Sequence, residues 1–126
     1  MLYFLRKNEL IQVTDYRFYS YFSDDKELLE EYYEVNEKDS KEIHGVESEI
    51  SKVGGYPFFT QQDQRGFMPK EDEPYELLMQ INSQYNSEKK TYEIIWGDSG
   101  VANFFIKSSD LRKKDFSKVI FSWICH

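Results

Sequence analysis

The sequence contains a single cysteine, Cys125, among 126 residues. One thiol excludes an internal disulfide and is typical of proteins from a reducing compartment. The chain also lacks any run of about 20 apolar residues, which argues against a membrane-spanning helix. The opening residues MLYFL are too short for the core of a secretion signal, and Arg6 follows at once. These absences predict a cytoplasmic protein that contacts no membrane.

Basic residues are fewer than acidic ones, 16 against 23, so the formal net charge is -7. The whole excess lies in residues 23–52, where eleven acidic residues accompany four basic ones. An acidic segment repels phosphate backbones, so nucleic acid is not expected as a partner. The charge run favours a solvated helix face, and a docking face for a basic protein is the alternative.

A basic run near the C-terminus opposes this acidic segment in sign. We expect the two to pair either within one molecule or between copies, with a small contribution from each exposed pair. The run comprises Lys107, Arg112, Lys113, Lys114 and Lys118.

Aromatic residues, by contrast, are abundant at 17% of the chain, with ten Tyr and ten Phe. Each of these side chains buries a large apolar area when it enters a core. The length suits one compact domain over residues 1–126, which is large enough to bury its apolar surface without disulfides. The composition therefore predicts a folded single domain.

One segment has the pattern of an amphipathic helix. Asp24 stands three residues before Glu27, as in a capping box, and apolar residues then recur at helical spacing. We place this helix at about residues 25–36, with acidic residues opposite its apolar stripe. The stripe comprises Leu28, Leu29, Tyr32 and Tyr33.

The remaining apolar runs predict strands at residues 2–5, 10–14, 16–22, 75–81, 92–96, 101–107 and 118–125. The first two are expected to form a short hairpin, and residues 97–100 are expected to join strands 92–96 and 101–107 as another. Residues 38–52 are interpreted as loop or weak strand, and residues 109–112 as one helical turn. Short links favour antiparallel pairing. The predicted class is α+β, a mainly antiparallel sheet of about six or seven strands with one amphipathic helix near the N-terminal third.

Four blocks of sequence occur in one order with plausible gaps: VGGYPFFTQQDQR at 53–65, ELLMQINS at 76–83, WGDSGVANFFI at 96–106 and DLRKKDFSKVIFSWIC at 110–125. Together they resemble the C-terminal half of the YwqG-like family, a bacterial domain of unknown function. The resemblance covers roughly residues 16–126 and is clearest after Val53.

The resemblance implies an α+β fold rich in antiparallel strands. Family members are usually longer, with an N-terminal half that carries its own block resembling LLMQINS followed by GVANFFI. This chain has one copy of that pair, so we expect an uncovered sheet edge that a protein partner or a second copy covers. The resemblance implies no activity.

The turn Gly97-Asp98-Ser99-Gly100 is the first candidate site. A calcium loop needs more oxygen ligands at regular spacing, and a phosphate loop needs more glycine and a lysine before a helix. Asp and Gly are also common turn residues. The sequence therefore favours a structural turn, and a ligand role for Asp98 is the alternative.

The second candidate is a long polar loop at residues 61–73, because such loops on a rigid sheet often bind ligands. Gln61 offers an amide, and Arg65 can hold a carboxylate or phosphate in a forked geometry. The alternative is that Asp63 and Arg65 pair locally and stiffen the loop.

Catalytic and metal-binding patterns are absent from the sequence. A cysteine catalyst needs a base held by a third group and an oxyanion hole. Cys125 and His126 are adjacent, so their side chains would point to opposite faces of a strand, and nothing places His44 beside them. No zinc-type ligand spacing occurs. We predict no catalytic residue, no metal and no cofactor.

The sequence therefore favours a non-enzymatic interaction module that binds another protein or a second copy of itself. The alternative is a small-ligand or enzymatic site where the polar loop 61–65 meets the 96–100 turn at one end of the sheet. Its candidate residues are Gln61, Asp63, Arg65, Trp96 and Asp98.

Overall fold

The computed structural model describes residue 11 and residues 15–22, 24–42, 51–70 and 72–125. Within this part the chain forms three α-helices and six strands, and two short 3-10 turns lie at Gln64–Phe67 and Phe116–Lys118. The elements in chain order are α1 (Phe18–Phe22), α2 (Lys26–Glu42), β1 (Lys52–Val53), β2 (Tyr75–Asn82), β3 (Gln84–Asn86), β4 (Thr91–Ile94), β5 (Val101–Lys107), α3 (Ser108–Arg112) and β6 (Ile120–Ile124).

Two antiparallel sheets organise these strands. The larger has the order β1-β2-β5-β6, and the smaller consists of β3 and β4. This arrangement confirms the predicted α+β class with its mainly antiparallel strands. Among the described residues, every helix is too short or too polar to cross a lipid bilayer.

The two central strands, β2 and β5, are the most buried. In β5, Val101, Ala102, Phe105 and Ile106 have no exposed surface, because a strand flanked by neighbours needs apolar residues towards both sides of its sheet. The pairing of β2 with β5 shifts between Leu77 and Met79. This irregularity adds local twist to the sheet.

One face of the larger sheet is covered by the segment that follows Pro57. The ring of Phe59 stacks on Phe105 at 6.2 Å between centroids. The backbone of Phe58 is held by two buried amides: its N–H donates to Gln80 Oε1 at 2.8 Å, and its carbonyl accepts from Asn103 Nδ2 at 3.1 Å. Gly54 and Gly55, which precede this segment, have positive φ, a conformation that glycine adopts readily.

The N-terminal part is helical where residues 16–22 were expected to form a strand, so that prediction is wrong. The aromatic residues there alternate, but Phe18 and Phe22 are also four residues apart and share one helical face. Both are buried, their rings lie 4.8 Å apart, and each contacts the ring of Tyr32 on α2. Because both rings pack against α2, the four-residue helical spacing prevails over the two-residue alternation of a strand.

Helix α2 starts where expected but extends further. Asp25 accepts the N–H of Leu28 at 3.0 Å, which satisfies an otherwise unpaired donor of the first turn. The helix continues to Glu42, so the loop or weak strand expected over residues 38–52 is wrong at 38–42. Four of the six residues at 37–42 are Glu or Lys, which are good helix formers, and the stretch lacks Gly and Pro, which favours the extension. Residues 43–50 lie outside the described residues.

The expected hairpin between strands 92–96 and 101–107 is also wrong. Strand β4 pairs with β3, and β5 pairs with β2 and β6. The Asn86 side chain accepts the N–H groups of Glu88 and Lys89, which closes a tight turn and pairs Asn86 with Thr91. The turn at 97–100 instead leads from the smaller sheet into β5. The hairpin predicted at 2–5 and 10–14 lies outside the described residues apart from Ile11.

Candidate functional site

The polar loop predicted at 61–73 folds around Arg65. Asp63 starts the 3-10 turn by accepting the N–H of Arg65 at 2.9 Å. This bond fixes the backbone so that the Arg65 side chain turns inwards, and only 7% of the residue is exposed. A cationic side chain at this depth requires partners for its charge and its donors.

Each guanidinium nitrogen of Arg65 has such a partner. Nε donates to Asp63 Oδ1 at 3.0 Å, and Nη1 donates to the carbonyl of Tyr75 at 3.1 Å. Nη2 lies 2.6 Å from Asp63 Oδ2 and 2.7 Å from Asp15 Oδ2. The ring of Tyr16 covers the guanidinium at 4.6 Å. Arg65 therefore serves as an internal tie, with its forked face already occupied by carboxylates.

A second Asp-x-Arg motif, Asp15-Tyr16-Arg17, repeats the local geometry of Asp63-Gln64-Arg65. Asp15 Oδ1 accepts the Arg17 N–H at 2.9 Å and Nε at 3.1 Å, and Oδ2 accepts from Nη2 at 3.0 Å. The two motifs also bind each other, since Asp63 accepts the N–H of Tyr16 at 2.9 Å and Arg65 reaches Asp15. We call these two aspartates and two arginines the paired Asp-x-Arg cluster.

The cluster joins three distant parts of the chain. Besides its bonds to Asp15, Arg17 donates through Nη1 to Glu76 Oε2 at 2.8 Å, at the start of β2. The N-terminal segment, the 63–65 turn and the larger sheet are therefore held by one ionic network. Its position between three segments is that of a structural junction.

The charges of the cluster shift one another's ionisation. Burial alone would raise the pKa of Asp15, but hydrogen bonds from Arg17 and Arg65 and the charge of Arg65 outweigh it, and the net pKa is lowered. Burial alone would lower the pKa of Arg65, yet its bonds to Asp63 and Asp15 leave it raised. The pKa of Arg17 is raised in the same way by Asp15 and Glu76, against the effect of burial. All these shifts favour the charged forms.

The lowered pKa of Asp15 predicts a loss of stability in acid. Its contribution is complete above the ordinary value of 3.8 and is lost as the pH falls through the lower pKa of the folded state. We expect the free energy of unfolding to fall from pH 5 to about pH 2, and Asp15→Asn to be less stable at pH 7 but to change less over that interval. Urea unfolding at several pH values measures both. An equal pH dependence in the variant would contradict the assignment.

The other predicted site residues lie elsewhere. Gln61 donates through Nε2 to the carbonyl of Cys125 at 3.1 Å, at the end of β6. The indole of Trp96 packs on Phe121 at 5.8 Å, and its buried Nε1 has no hydrogen-bond partner among the described residues. Asp98 is exposed in a turn closed by Gly100 N–H to Trp96 O at 2.8 Å.

The predicted site residues Arg65 and Trp96 lie on opposite faces of the larger sheet. Arg65 lies 5.7 Å from the ring of Phe105, whereas Trp96 packs on Phe121, the cross-strand neighbour of Phe104. Successive side chains of a strand point to opposite faces. The structure therefore brings Asp63 and Arg65 together but does not bring them to Trp96.

The sequence reasoning missed Asp15, Arg17 and Glu76 as partners of this loop. A signal was present, since the spacing Asp-x-Arg occurs in both DYR at 15–17 and DQR at 63–65. The local Asp63–Arg65 pair, which the sequence offers as the alternative to ligand binding, is observed. In the part of the chain that the structure describes, no group of three or more His, Cys, Asp and Glu side chains is placed to hold a metal ion.

The opposite face of the larger sheet exposes large apolar side chains. An apolar row crosses all four strands through the cross-strand neighbours Val53, Met79, Phe104 and Phe121. Phe121 and the nearby Trp123, both on the outer strand β6, are each 48% exposed. Phe121 contacts the rings of Phe104 at 5.1 Å and Trp96 at 5.8 Å. We call Trp96, Phe104, Phe121 and Trp123 the aromatic strip.

The oppositely charged segments do not pair with each other among the described residues. Arg112 lies 3.9 Å from Glu73, and Lys118 lies 3.8 Å from Asp110, both near α3. No ion pair joins these bases to the described acidic side chains of α2, which are exposed. Within the described part, pairing inside one molecule is therefore not observed.

Comparison with known proteins gives a family but no activity. The family model described as a domain of unknown function, DUF1963, matches residues 1–125. A search of curated proteins found no match. Because the family model spans nearly the whole sequence, this chain belongs to the DUF1963 family.

Proposed function

We propose that this chain is a YwqG-like DUF1963 domain of the bacterial cytoplasm and that it is a non-enzymatic interaction module. In this proposal the aromatic strip binds a protein. The four sequence blocks that resemble the YwqG-like family support the finer assignment, since they include most of β2 and β5, all of β6 and the segment that covers one face of the larger sheet. The proposed binding surface is built from the same elements.

The observation that carries the proposal is the exposure of two large aromatic side chains, Phe121 and Trp123, on one outer strand. Neighbouring apolar side chains extend the surface across the sheet. Covering a half-exposed aromatic side chain contributes about 1 kcal/mol, and Trp is enriched among the residues that dominate protein interfaces. A contiguous apolar surface of this kind is typical of a protein contact.

The small-ligand alternative has less support. It requires Asp63, Arg65, Trp96 and Asp98 to share a site, but the first two lie on the other face of the larger sheet from Trp96. The donors of Arg65 are already bound by Asp15, Asp63 and Tyr75. A ligand would have to displace a carboxylate from the paired Asp-x-Arg cluster, which holds the fold together.

A comparison of strip variants tests the proposal. The wild-type chain and the double variant Phe121→Ser, Trp123→Ser are used as baits, and captured proteins are identified by mass spectrometry. Each is then purified and titrated calorimetrically against both chains. We expect one partner, a different protein or a second copy, to bind the double variant at least tenfold more weakly, because the apolar contact is lost.

The matched control is Tyr85→Ser. Tyr85 is a large aromatic on β3 that is 57% exposed and lies outside the strip, so its loss should leave binding unchanged. Circular dichroism checks that both variants fold. A purified partner that binds the double variant as tightly as the wild type, or the lack of any partner that depends on the strip, would contradict the proposal.

A further inference from the structure

Strand β6 lies at one edge of the larger sheet that the described strands form. It pairs with β5 on one side, and no described strand pairs with the other. Folded proteins usually protect such an edge with charge, proline or a bulge. The sequence of β6, IFSWI, has no charge and no proline, and its pairing with β5 is regular. The opposite edge strand, β1, has only two residues, so β6 is the longer edge.

The sequence of β6 is complementary to itself. When two β6 strands pair antiparallel about Ser122, Phe121 lies opposite Trp123 of the second copy, and Ile120 lies opposite Ile124. Aromatic side chains then meet on one face and isoleucines on the other, and such cross-strand pairs stabilise a sheet. Centring the pair on Phe121 or Trp123 instead places Ser122 opposite an isoleucine. Ser122 is therefore the favoured centre.

The charges at the two ends of β6 are complementary as well. Lys118 precedes the strand, and its side chain is 61% exposed although its Nζ lies 3.8 Å from Asp110 Oδ1 of the same chain. The turn that carries the exposed Asp98 lies at the other end: a Cβ placed on Gly97 would be 2.6 Å from the Trp123 ring and 3.1 Å from Cys125 Sγ. Antiparallel pairing sets the start of one strand beside the end of the other, so at each end of the pair Lys118 of one copy lies on the side of the turn that carries Asp98 of the other.

We infer that the partner of the aromatic strip is a second copy of this chain, bound through β6 in the register centred on Ser122. The two four-stranded sheets then form one sheet of eight strands, and the strips of both copies become continuous. The inference rests on the proposed interaction function and names its partner. It also gives Asp98 a role in recognition between copies.

Sedimentation velocity over a range of concentrations tests the association. We expect the wild-type chain to reach the mass of two chains as concentration rises. Asp98→Lys should raise the dissociation constant of the dimer about tenfold. Each of the two symmetry-related Lys118–Asp98 attractions then becomes a repulsion between two lysines. Glu88→Lys is the matched control, since it makes the same charge change at an exposed position in the β3–β4 turn and should leave the constant unchanged.

A crosslink tests the register. In a Cys125→Ser background, the Ser122→Cys chain should form a disulfide-linked dimer on mild oxidation, because the two substituted side chains face each other across the symmetry axis. Ser87→Cys, exposed in the β3–β4 turn, should not. A dimer without the crosslink at 122 would overturn the β6 pairing.

A chain that stays monomeric at every concentration would overturn the inference entirely. The proposed function has a separate readout, which is strip-dependent binding of a different purified protein. A monomer that binds such a protein would refute only the identity of the partner. A monomer with no strip-dependent partner would refute both.

Discussion

Replacing Arg65 with methionine is expected to lower the free energy of unfolding by about 3 kcal/mol or more. The methionine fills much of the same volume but leaves the carboxylate of Asp15, whose side chain has no exposed surface, without one of its two cationic partners. Asp63 loses its guanidinium partner, and the Tyr75 carbonyl loses a donor. Urea unfolding at pH 7, followed by circular dichroism, measures the change.

Two further variants separate this effect from the general loss of an arginine. Arg112→Met removes a guanidinium that is 76% exposed and 3.9 Å from Glu73, and it should change stability by no more than about 0.5 kcal/mol. Arg65→Lys keeps the charge but lacks the planar guanidinium with its several donors. We therefore expect its loss of unfolding free energy to lie between those of the other two variants. If Arg65→Met and Arg112→Met were equally stable, the buried network would not be the junction described above.

Replacing Gly100 with alanine is expected to cost about 3 kcal/mol or more, because the added methyl group has no space. A Cβ at this position would lie 1.9 Å from the carbonyl oxygen of Ile124 and 2.7 Å from the Cα of Cys125. Those are backbone atoms of the end of β6, so relief requires that β5 and β6 separate there. The Gly100 carbonyl also accepts from the N–H and hydroxyl of Ser83. Thermal and urea unfolding measure the cost.

Gly66→Ala is the matched control. A Cβ at Gly66 meets no atom within 4 Å, and alanine restricts the unfolded chain more than glycine does. We expect a change between zero and a stabilisation of about 1 kcal/mol. Equal losses at Gly66 and Gly100 would show that backbone freedom, rather than close packing against β6, sets the requirement for glycine at position 100.

The sequence predicted the two central strands of the larger sheet well because their signals are local. The strand predicted at 118–125 is shorter in the structure, since β6 covers Ile120–Ile124 after a 3-10 turn at Phe116–Lys118. The run at 101–107 is continuous and apolar between Gly100 and Ser108, and β5 has those bounds. The run at 75–81 differs from β2 by one residue. Strand pairing was predicted less well, because it depends on which distant surfaces remain to be covered. Strand β4 was assigned to β5 on proximity along the chain, yet its partner is β3.

The candidate site likewise combines a local contact, which the sequence reveals, with long-range contacts, which it does not. The local Asp63–Arg65 pair spans two residues and is visible in the sequence. The pair between Arg65 and Asp15 joins positions 50 residues apart and requires α1 and α2 to be placed first. Whether Trp96 approaches Arg65 depends on which face of the sheet each occupies, and a bulge between Leu77 and Met79 changes the alternation of faces along β2. Alternation in the sequence alone does not reveal such a shift.

The segment between Phe58 and Asp63 is anchored at both ends, and Gln80 and Asn103 hold the Phe58 end. Gln80 Oε1 accepts the N–H of Phe58 and Asn103 Nδ2 donates to its carbonyl, so a slip of one residue would leave a buried donor or acceptor unsatisfied at about 1–3 kcal/mol each. Five residues later, Asp63 must reach the N–H of Tyr16. An insertion or deletion between Phe58 and Asp63 would therefore break one anchor or the other, so natural variation in loop length is expected outside this interval.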